Sequence, residues 1–515
     1  MAVGTALSRL TGLGRLVAMA YALGVAESRV ADAYTIANTL PNILYELVLG
    51  GVLTSTFVPL VVAQLRNKTD DEGWRGISAL FTTALVCLVG VSLLTVLAAP
   101  AIVGVFSGRI DGARADQQQD LATFLLRFFA PQIVFYGFAA LAAGLLNAHN
   151  RFVLPMFAPI LNNLLVIVTF VRFAQLASAD VTDVTIGDPG VARLVLAAGT
   201  TAGVAAMAIV HWPALRSLPG RVRFNFDPSH PAVRSLVRLS GWTLGYVVAN
   251  QISFGLVLLL ANGVQGGPTA FAVAFAFFQL PYGVAAVSIM TALFPRLSAQ
   301  DADGERFEAA STVATGLRIL GAVMLPATVA YVVLARPLVA VVLERGVMGP
   351  ASTDLVAGVL VMFAGGLLPF SVFLWTLRAF YSAQDTRTPM LINVVANAVF
   401  VVAALVLYRP LAVAGLALAH TISYVAGAAL ALGVLVRRRQ GVGLGQVAAV
   451  WLRAAVAAIV AGGAMRAGVN ATGELGSVVP LAAAGGAGLV VYWLGAKAMR
   501  VDEITSMVRL LVRRN

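Results

Sequence analysis

Charge is the scarcest commodity in this sequence. Asp, Glu, Lys and Arg together make up 11% of the 515 residues, against 59% hydrophobic, and the mean hydropathy is +0.89. Soluble domains carry about 25% charged residues, so a water-exposed globular fold is excluded and a polytopic helical membrane protein remains. There is one cysteine, Cys87, which rules out an intramolecular disulfide or a dithiol redox pair. Its apolar surroundings predict a thiol packed in the core. The four histidines, His149, His211, His230 and His420, have no ligand spacing, so no zinc site is implied. HExxH, GxSxG in a strand-to-helix setting and GxxxxGK[ST] are all missing, which leaves hydrolase chemistry and ATP driving without support. No cofactor is expected. Glycine is abundant, but pairs such as Gly365-Gly366, Gly462-Gly463 and Gly485-Gly486 are read as places where helices approach or flex, and not as phosphate loops. The work left for such a chain is to move something.

Apolar runs broken by polar connections give about fourteen spans. Among them are 3 to 24, 33 to 64, 120 to 147, 233 to 262, 354 to 382, 388 to 408 and 411 to 436. Pro41 and Pro281 supply kink sites. The net charge of +12 would point to nucleic acid in a soluble protein; here it reflects arginines gathered in alternate connections. One side collects Arg66, Lys68 and Arg75, then Arg216, Arg221 and Arg223, Arg387, and the run Arg437-Arg438-Arg439, while the other holds Asp180, Asp183 and Asp188. The positive-inside rule therefore places both termini in the cytoplasm, which requires an even number of spans. The first apolar run has no small-residue cleavage site and is read as a retained helix. The tail from Asp502 to Leu511 has helical spacing of apolar and charged residues and is expected either to lie on anionic lipid or to fray.

Two arginines in the first span resist that reading as loop charges. Arg9 and Arg15 flank Leu10-Thr11-Gly12-Leu13-Gly14 inside an apolar run that continues to Leu23. At 1.5 Å per residue Arg15 lies roughly 18 Å along the helix, past the middle of a hydrocarbon layer of about 30 Å. An arginine there costs about 2.5 to 3.5 kcal/mol on insertion scales and normally faces a bundle interior or a wet cavity. The span is expected to line a cavity that receives an anion. The bland alternative has Arg9 snorkelling to the interface and Arg15 pairing with a buried carboxylate, Asp32 or Glu46.

The chain also repeats itself. Leu146-Asn147-Ala148-His149-Asn150-Arg151 leads to Pro155, with Asn163 eight residues beyond. Later, Tyr381-Ser382-Ala383-Gln384-Asp385-Thr386-Arg387 leads to Pro389, with Asn397 eight beyond. An offset within a few residues of 236 also relates Pro41 to Pro281 and Pro59 to Pro295. Six spans separate the copies, so both halves share one orientation and are expected to relate by an axis along the bilayer normal. The predicted domains are an N-lobe at 1–216, a cytoplasmic connection at 217–232, a C-lobe at 233–439, two added spans at 440–500 and a cytoplasmic tail at 501–515. The fold class is thus all-α and polytopic, with two parallel-related six-helix bundles plus two helices.

At these residues the chain resembles the MurJ (MviN) lipid II flippase family of the multidrug/oligosaccharidyl-lipid/polysaccharide exporter superfamily. The motifs that carry the resemblance run in order. They are Ser8-Arg9-Leu10-Thr11-Gly12-Leu13-Gly14-Arg15, Ala31-Asp32-Ala33-Tyr34, Leu40-Pro41-Asn42, Phe57-Val58-Pro59, Asn150-Arg151-Phe152, Phe157-Ala158-Pro159, Asn163, Asn250-Gln251-Ile252-Ser253, Phe380-Tyr381-Ser382, Gln384-Asp385 and Thr388-Pro389. The resemblance implies movement of undecaprenyl-pyrophosphate-linked peptidoglycan precursor, lipid II, from the inner to the outer leaflet of a bacterial plasma membrane. Membrane potential or an ion gradient would drive it. Partners would be lipid II, membrane lipids and cell-wall synthesis and division proteins. Arg9 and Arg15 match cavity arginines; they lie about 120° apart round the helix, and Gly12 and Gly14 between them are expected to bend it. Asn42, Gln251 and Gln279 would bind sugar hydroxyls or bridge helices. Asp32 is expected to cap the second span, with Pro41, Glu46, Asn150, Arg151, Asp385 and Arg387 in gating or structural roles. The chain departs from the family at Leu16, where an acid is usual, at Tyr45 and Glu46 in place of a basic pair, at Gly50, and at Ala276 in place of an arginine. The alternatives are a related polysaccharide-lipid or drug exporter, or a non-transporting cell-wall scaffold with a degenerate cavity.

Overall fold

A computed structural model describes residues 2–50, 57–67, 70–108, 113–177, 190–239, 241–439, 441–473 and 476–503. Lys68, the acidic stretch Asp180, Asp183 and Asp188, and the tail beyond Glu503 lie outside the described residues. Every regular element among the described residues is helical. Among the described residues ten helices are long and apolar enough to cross a membrane, and one bent pair makes an eleventh, so the expected fourteen is not reached by that measure. The 52-residue helix that counts once there contains a break. At Ala412 the backbone takes φ 49°, ψ −130°, which divides the helix where the sequence predicts a connection between 388–408 and 411–436.

The chain forms two compact units, Met1–Thr269 with Arg345–Gly349, and Ala270–Glu344 with Pro350–Asn515. The first holds α1 (Ala2–Leu23), α2 (Val30–Tyr45), α3 (Val58–Asn67), α4 (Asp70–Ser107), α5 (Ala113–Phe129), α6 (Gln132–Ala148), α7 (Val153–Leu176), α8 (Val191–Ile209), α9 (Trp212–Arg216), α10 (Pro231–Leu239) and α11 (Gly241–Ala261). Large apolar side chains face outward along these helices; Leu97 on α4 is 77% exposed. That pattern suits a helix bathed in acyl chains, where exposed leucine costs nothing. Cys87, expected in the core, lies exposed on α4. Hydropathy cannot separate a side chain facing protein from one facing lipid, since both are apolar.

The expected span from 233 to 262 begins too early. Residues 231–239 form α10, which buries Ala232, Val233 and Leu236 and turns Arg234 and Arg238 outward. It is an amphipathic surface helix, and the apolar span proper is α11. The segment before α10 is docked on α4: Arg223 N–H donates to Ser78 Oγ at 3.1 Å and Asn225 N–H to Thr82 Oγ1 at 3.2 Å.

The second unit holds α12 (Gly267–Pro281, its first turn counted with the first unit), α13 (Val287–Ala302), α14 (Arg306–Leu343), α15 (Pro350–Ala364), α16 (Leu367–Ser382), α17 (Arg387–Arg438), α18 (Leu444–Thr472) and α19 (Val478–Ala498). An aromatic core of Phe271, Phe275, Phe363 and Phe400 surrounds His420. The added helices α18 and α19 pack on each other and on α14. Trp451 Nε1 donates to Leu317 O at 2.8 Å, and the Tyr492 hydroxyl donates to Ala322 O.

The sequence repeat is visible as matched local structure. After α6, the amides of His149 and Arg151 both donate to Leu146 O, and that of Asn150 to Asn147 O, with Asn150 at φ 59°. After α16, Ala383 and Asp385 both donate to Phe380 O, and Gln384 to Tyr381 O, with Gln384 at φ 59°. Both are six-to-one Schellman closures with a left-handed residue, which an amide side chain tolerates better than most. Pro41 and Pro281 are each followed by a π-helical turn, Glu46–Gly50 and Tyr282–Ala286, at an offset of 236 residues. A ring without an N–H loosens the hydrogen-bond ladder, and the wider turn takes up the slack. The α5–α6 break at Ala130-Pro131 also has a counterpart, the 49° bend between α15 and α16 at Gly365-Gly366.

Candidate functional site

The first span is unbroken from Ala2 to Leu23, so Gly12 and Gly14 do not bend it out of helix. They serve packing instead. A Cβ at Gly12 would stand 3.7 Å from Asn163 Nδ2, and one at Gly14 3.4 Å from Ile167, so the glycines form the flat face that α7 lies against. Asn163 Nδ2 fixes that contact by donating to Ser8 O at 3.3 Å and Thr11 Oγ1 at 3.1 Å. Residues 8–15 are therefore a docking strip on one side, with the two arginines on others.

Arg9 and Arg15 are both half-buried, and neither makes an ion pair among the described residues. Asp32, the proposed partner of Arg15, is engaged elsewhere. The same unit contributes the phenols of Tyr34 on α2 and Tyr136 on α6. Tyr136 stacks obliquely on Tyr45, ring centroids 5.9 Å apart, and Glu46 follows Tyr45 at the π-helical turn. The first unit thus brings a cation on α1, phenols on α2 and α6 and the Glu46 carboxylate into one set of helices. Such a set can hold an oxyanion at its cation and hydroxyl groups at the phenols. Tyr34 and Tyr136 were not evident from the sequence, where single tyrosines in apolar runs look like core.

Asp32 does not cap α2. The helix starts at Val30 behind Arg29, and Asp32 is fully buried in the first turn. Its carboxylate accepts from Gly266 N at 2.7 Å and from the Thr269 hydroxyl at 3.0 Å, with Arg29 Nη1 3.8 Å away. Arg29 Nη1 also donates to Asn262 O at 2.8 Å, and Gln118 Nε2 to Asn262 Oδ1 at 2.8 Å. Nearby, Glu27 Oε1 accepts from Gly349 N at 2.8 Å, Glu27 Oε2 from Val25 N at 2.6 Å, and Tyr21 O from Val347 N at 3.0 Å. Two carboxylates thereby tie the α1–α2 connection to the α11–α12 turn and to residues 345–349. Gly266 has φ +79°, and a Cβ there would meet the Ala26 backbone at 2.8 Å, so this turn admits only glycine.

The remaining residues are spread out. Pro41 is buried, Asn42 exposed and Gln251 half-buried in the first unit; Gln279 is half-buried in the second. Asn150 is the left-handed residue of its closure, and Arg151 donates to the Ser217 hydroxyl and to Ser217 O at 3.2 Å. Asp385 accepts from Thr388 N at 2.9 Å and Arg438 Nη1 at 2.8 Å. Burial pushes the Asp385 carboxyl up, but the Thr388 hydroxyl and amide and the Arg438 guanidinium outweigh it and hold the group below its ordinary value. Arg387 is exposed at the start of α17. Elsewhere in the apolar runs, Arg318 pairs with Glu503 at 3.2 Å, Arg378 lies over the Phe294 ring at 5.9 Å and Arg127 is exposed.

This arrangement of helices is that of the exporter superfamily to which the multidrug MATE transporters belong. An inward-facing MATE family transporter of the MOP superfamily matches 87% of the chain and 99% of its own with a TM-score of 0.66 at 14% identity. A lipid II flippase MurJ in an inward closed conformation matches 98% of the chain and 99% of its own, TM-score 0.79, 20% identity. The family model "Lipid II flippase MurJ" matches residues 19–483. The chain belongs to the MurJ family. Relatives include a probable lipid II flippase MurJ of Rhizobium meliloti, 30% identical over 84% of this chain and 78% of its own length, and the lipid II flippase MurJ of Burkholderia cenocepacia, 28% identical over 76% and 73%.

Proposed function

We propose that this chain moves lipid II from the inner to the outer leaflet of a bacterial plasma membrane by alternating access. Its membership of the MurJ family carries the reading, and Arg15, half-buried mid-helix with no ion pair among the described residues, supplies the chemistry. A pyrophosphate cannot enter hydrocarbon without cationic donors, and a guanidinium whose hydrogen bonds are not taken by protein is ready to give them. Arg9, Asn42 and Gln251 complete the first unit's substrate-facing set in this reading, and Gln279 is the second unit's own candidate. Both termini are cytoplasmic, so the Glu27 and Asp32 knot lies at the outer end and must open for release. No nucleotide drives the cycle; membrane potential or an ion gradient does. Cell-wall synthesis and division proteins are the expected protein partners.

Depletion followed by a leaflet-accessibility assay for the precursor tests this directly: accumulation on the cytoplasmic side is expected, and an unchanged distribution would refute it. Arg15→Ala should abolish transport with insertion intact, and full activity would remove Arg15 from the site. The departures at Leu16, Gly50 and Ala276 favour a second reading, a non-transporting cell-wall scaffold. In that case depletion disturbs wall assembly with the precursor's leaflet distribution unaltered.

A further inference from the structure

A hollow of about 370 Å³ opens at one end of the second unit, beside the Asp385–Arg438 pair and apart from Arg9 and Arg15. The C-terminal turn of α13, the start of α14 and the ends of α16 and α17 enclose it, and Asp301, Arg306, Phe380, Asp385, Arg438 and Arg439 are among its walls. Each carboxylate already has its own arginine. Arg439 Nη2 meets Asp301 Oδ2 at 2.8 Å, and Asp301 also accepts from the Ser382 hydroxyl; Arg438 Nη1 meets Asp385 Oδ2 at 2.8 Å. That leaves Arg306 with no ion pair among the described residues, and the buried Arg439 Nη1 with no acceptor. Three guanidinium groups against two carboxylates give the wall a net positive charge, and Arg437 stands exposed beside it.

We propose that this hollow binds a phosphate-class oxyanion, either inorganic phosphate or the phosphate of an anionic lipid headgroup. A planar guanidinium fork matches the spacing of phosphate oxygens, and arginine is the usual choice where two such forks converge. The unpaired Arg306 and the outer nitrogens of Arg438 supply the first contacts. An entering oxyanion also gives the Arg439 Nη1 donor the partner it lacks, after a small turn of that side chain; buried N–H groups left without acceptors are rare in native proteins. Phe380 and Leu435 give the hollow an apolar wall on which the glycerol of a lipid can rest. Only the lipid source depends on the membrane orientation proposed above; binding of the anion itself does not. Because four helix ends meet at the hollow, occupancy ties the ends of α13, α14, α16 and α17 together and slows their opening.

The test uses the full chain in phosphatidylcholine nanodiscs, with hydrogen exchange read at 300–308, 380–390 and 435–439. Inorganic phosphate is titrated against chloride at constant ionic strength, and a second set of discs contains phosphatidylglycerol. At phosphate about ten times its Kd, exchange in these segments should slow about tenfold. Arg306→Gln should lose the effect without disturbing an ion pair, whereas Arg234→Gln on α10 should keep it. If phosphatidylglycerol protects the segments and added phosphate then does nothing more, the headgroup is the occupant. If phosphate protects equally in both discs, the free anion is. The proposal is overturned if neither gives a saturable change, or if Arg306→Gln responds like the parent chain.

Discussion

Asp32→Ala tests whether one buried carboxylate holds the α11–α12 turn to the second helix. Removing it leaves the Gly266 amide without its acceptor at 2.7 Å, in a place where Asp32 has no exposure to water. Its other partners fare better: Thr269 keeps the Thr35 hydroxyl at 3.0 Å, and Arg29 keeps Asn262 O at 2.8 Å. The Thr269 amide also loses a long bond at 3.5 Å, so the main loss is the short charge-assisted bond from Gly266 and the donor it orphans, about 3 kcal/mol in all. At 1.4 kcal/mol per factor of ten, that is about a hundredfold rise in the opening of the turn. Hydrogen exchange followed by mass spectrometry on peptides covering 262–270, with the protein in nanodiscs, reads it directly. Peptides from α15 serve as the unaffected control. Asp32→Asn retains an oxygen for Gly266 and loses only charge, so its rise should be about tenfold. Unchanged exchange at 262–270 in Asp32→Ala would refute the reasoning, because the turn would then be held by something other than this carboxylate.

Gly266→Ala should open the same turn at least as far, since its Cβ would meet the Ala26 backbone at 2.8 Å and the residue would be held at φ +79°; the same peptides report it. Gly321→Ala should loosen α18 from α14, because the new methyl would fall 2.0 Å from Trp451 Cδ1, and exchange across 445–470 should rise while α15 stays protected. The Asp385 carboxyl is held below its ordinary value, so its contribution to stability is full above about pH 4, the unfolded value, and is lost as pH falls through the lower folded value. Melting curves from pH 7 to pH 3 should show an acid-side decline that is shallower in Asp385→Asn, and parallel curves would remove the assignment.

The sequence repeat was legible because its markers, proline and asparagine at fixed offsets, are the residues that set backbone geometry. Pro41 and Pro281 announced irregular helix, and the Asn150 and Gln384 turns close with the same three hydrogen bonds. Burial was less legible. Cys87 and Leu97 sit in runs as apolar as any core, and only the neighbouring helices decide which face lipid. Asp32 sat at the right place for a cap, yet its partner is 234 residues away, and no local rule reaches that far. Arg15 stood out because charge inside an apolar run is conspicuous, whereas Tyr136, which stacks on Tyr45, did not, because a phenol is unremarkable there.

The paired π-helical turns have one more consequence. Each packs a surplus residue into its helix, and such a surplus can be handed along from turn to turn, rotating every side chain it passes by about 100° while the helix ends stay put. That is a way to swivel residues on a rigid rod. The two π-helical turns stand 236 residues apart, so each half of the repeat carries such a swivel.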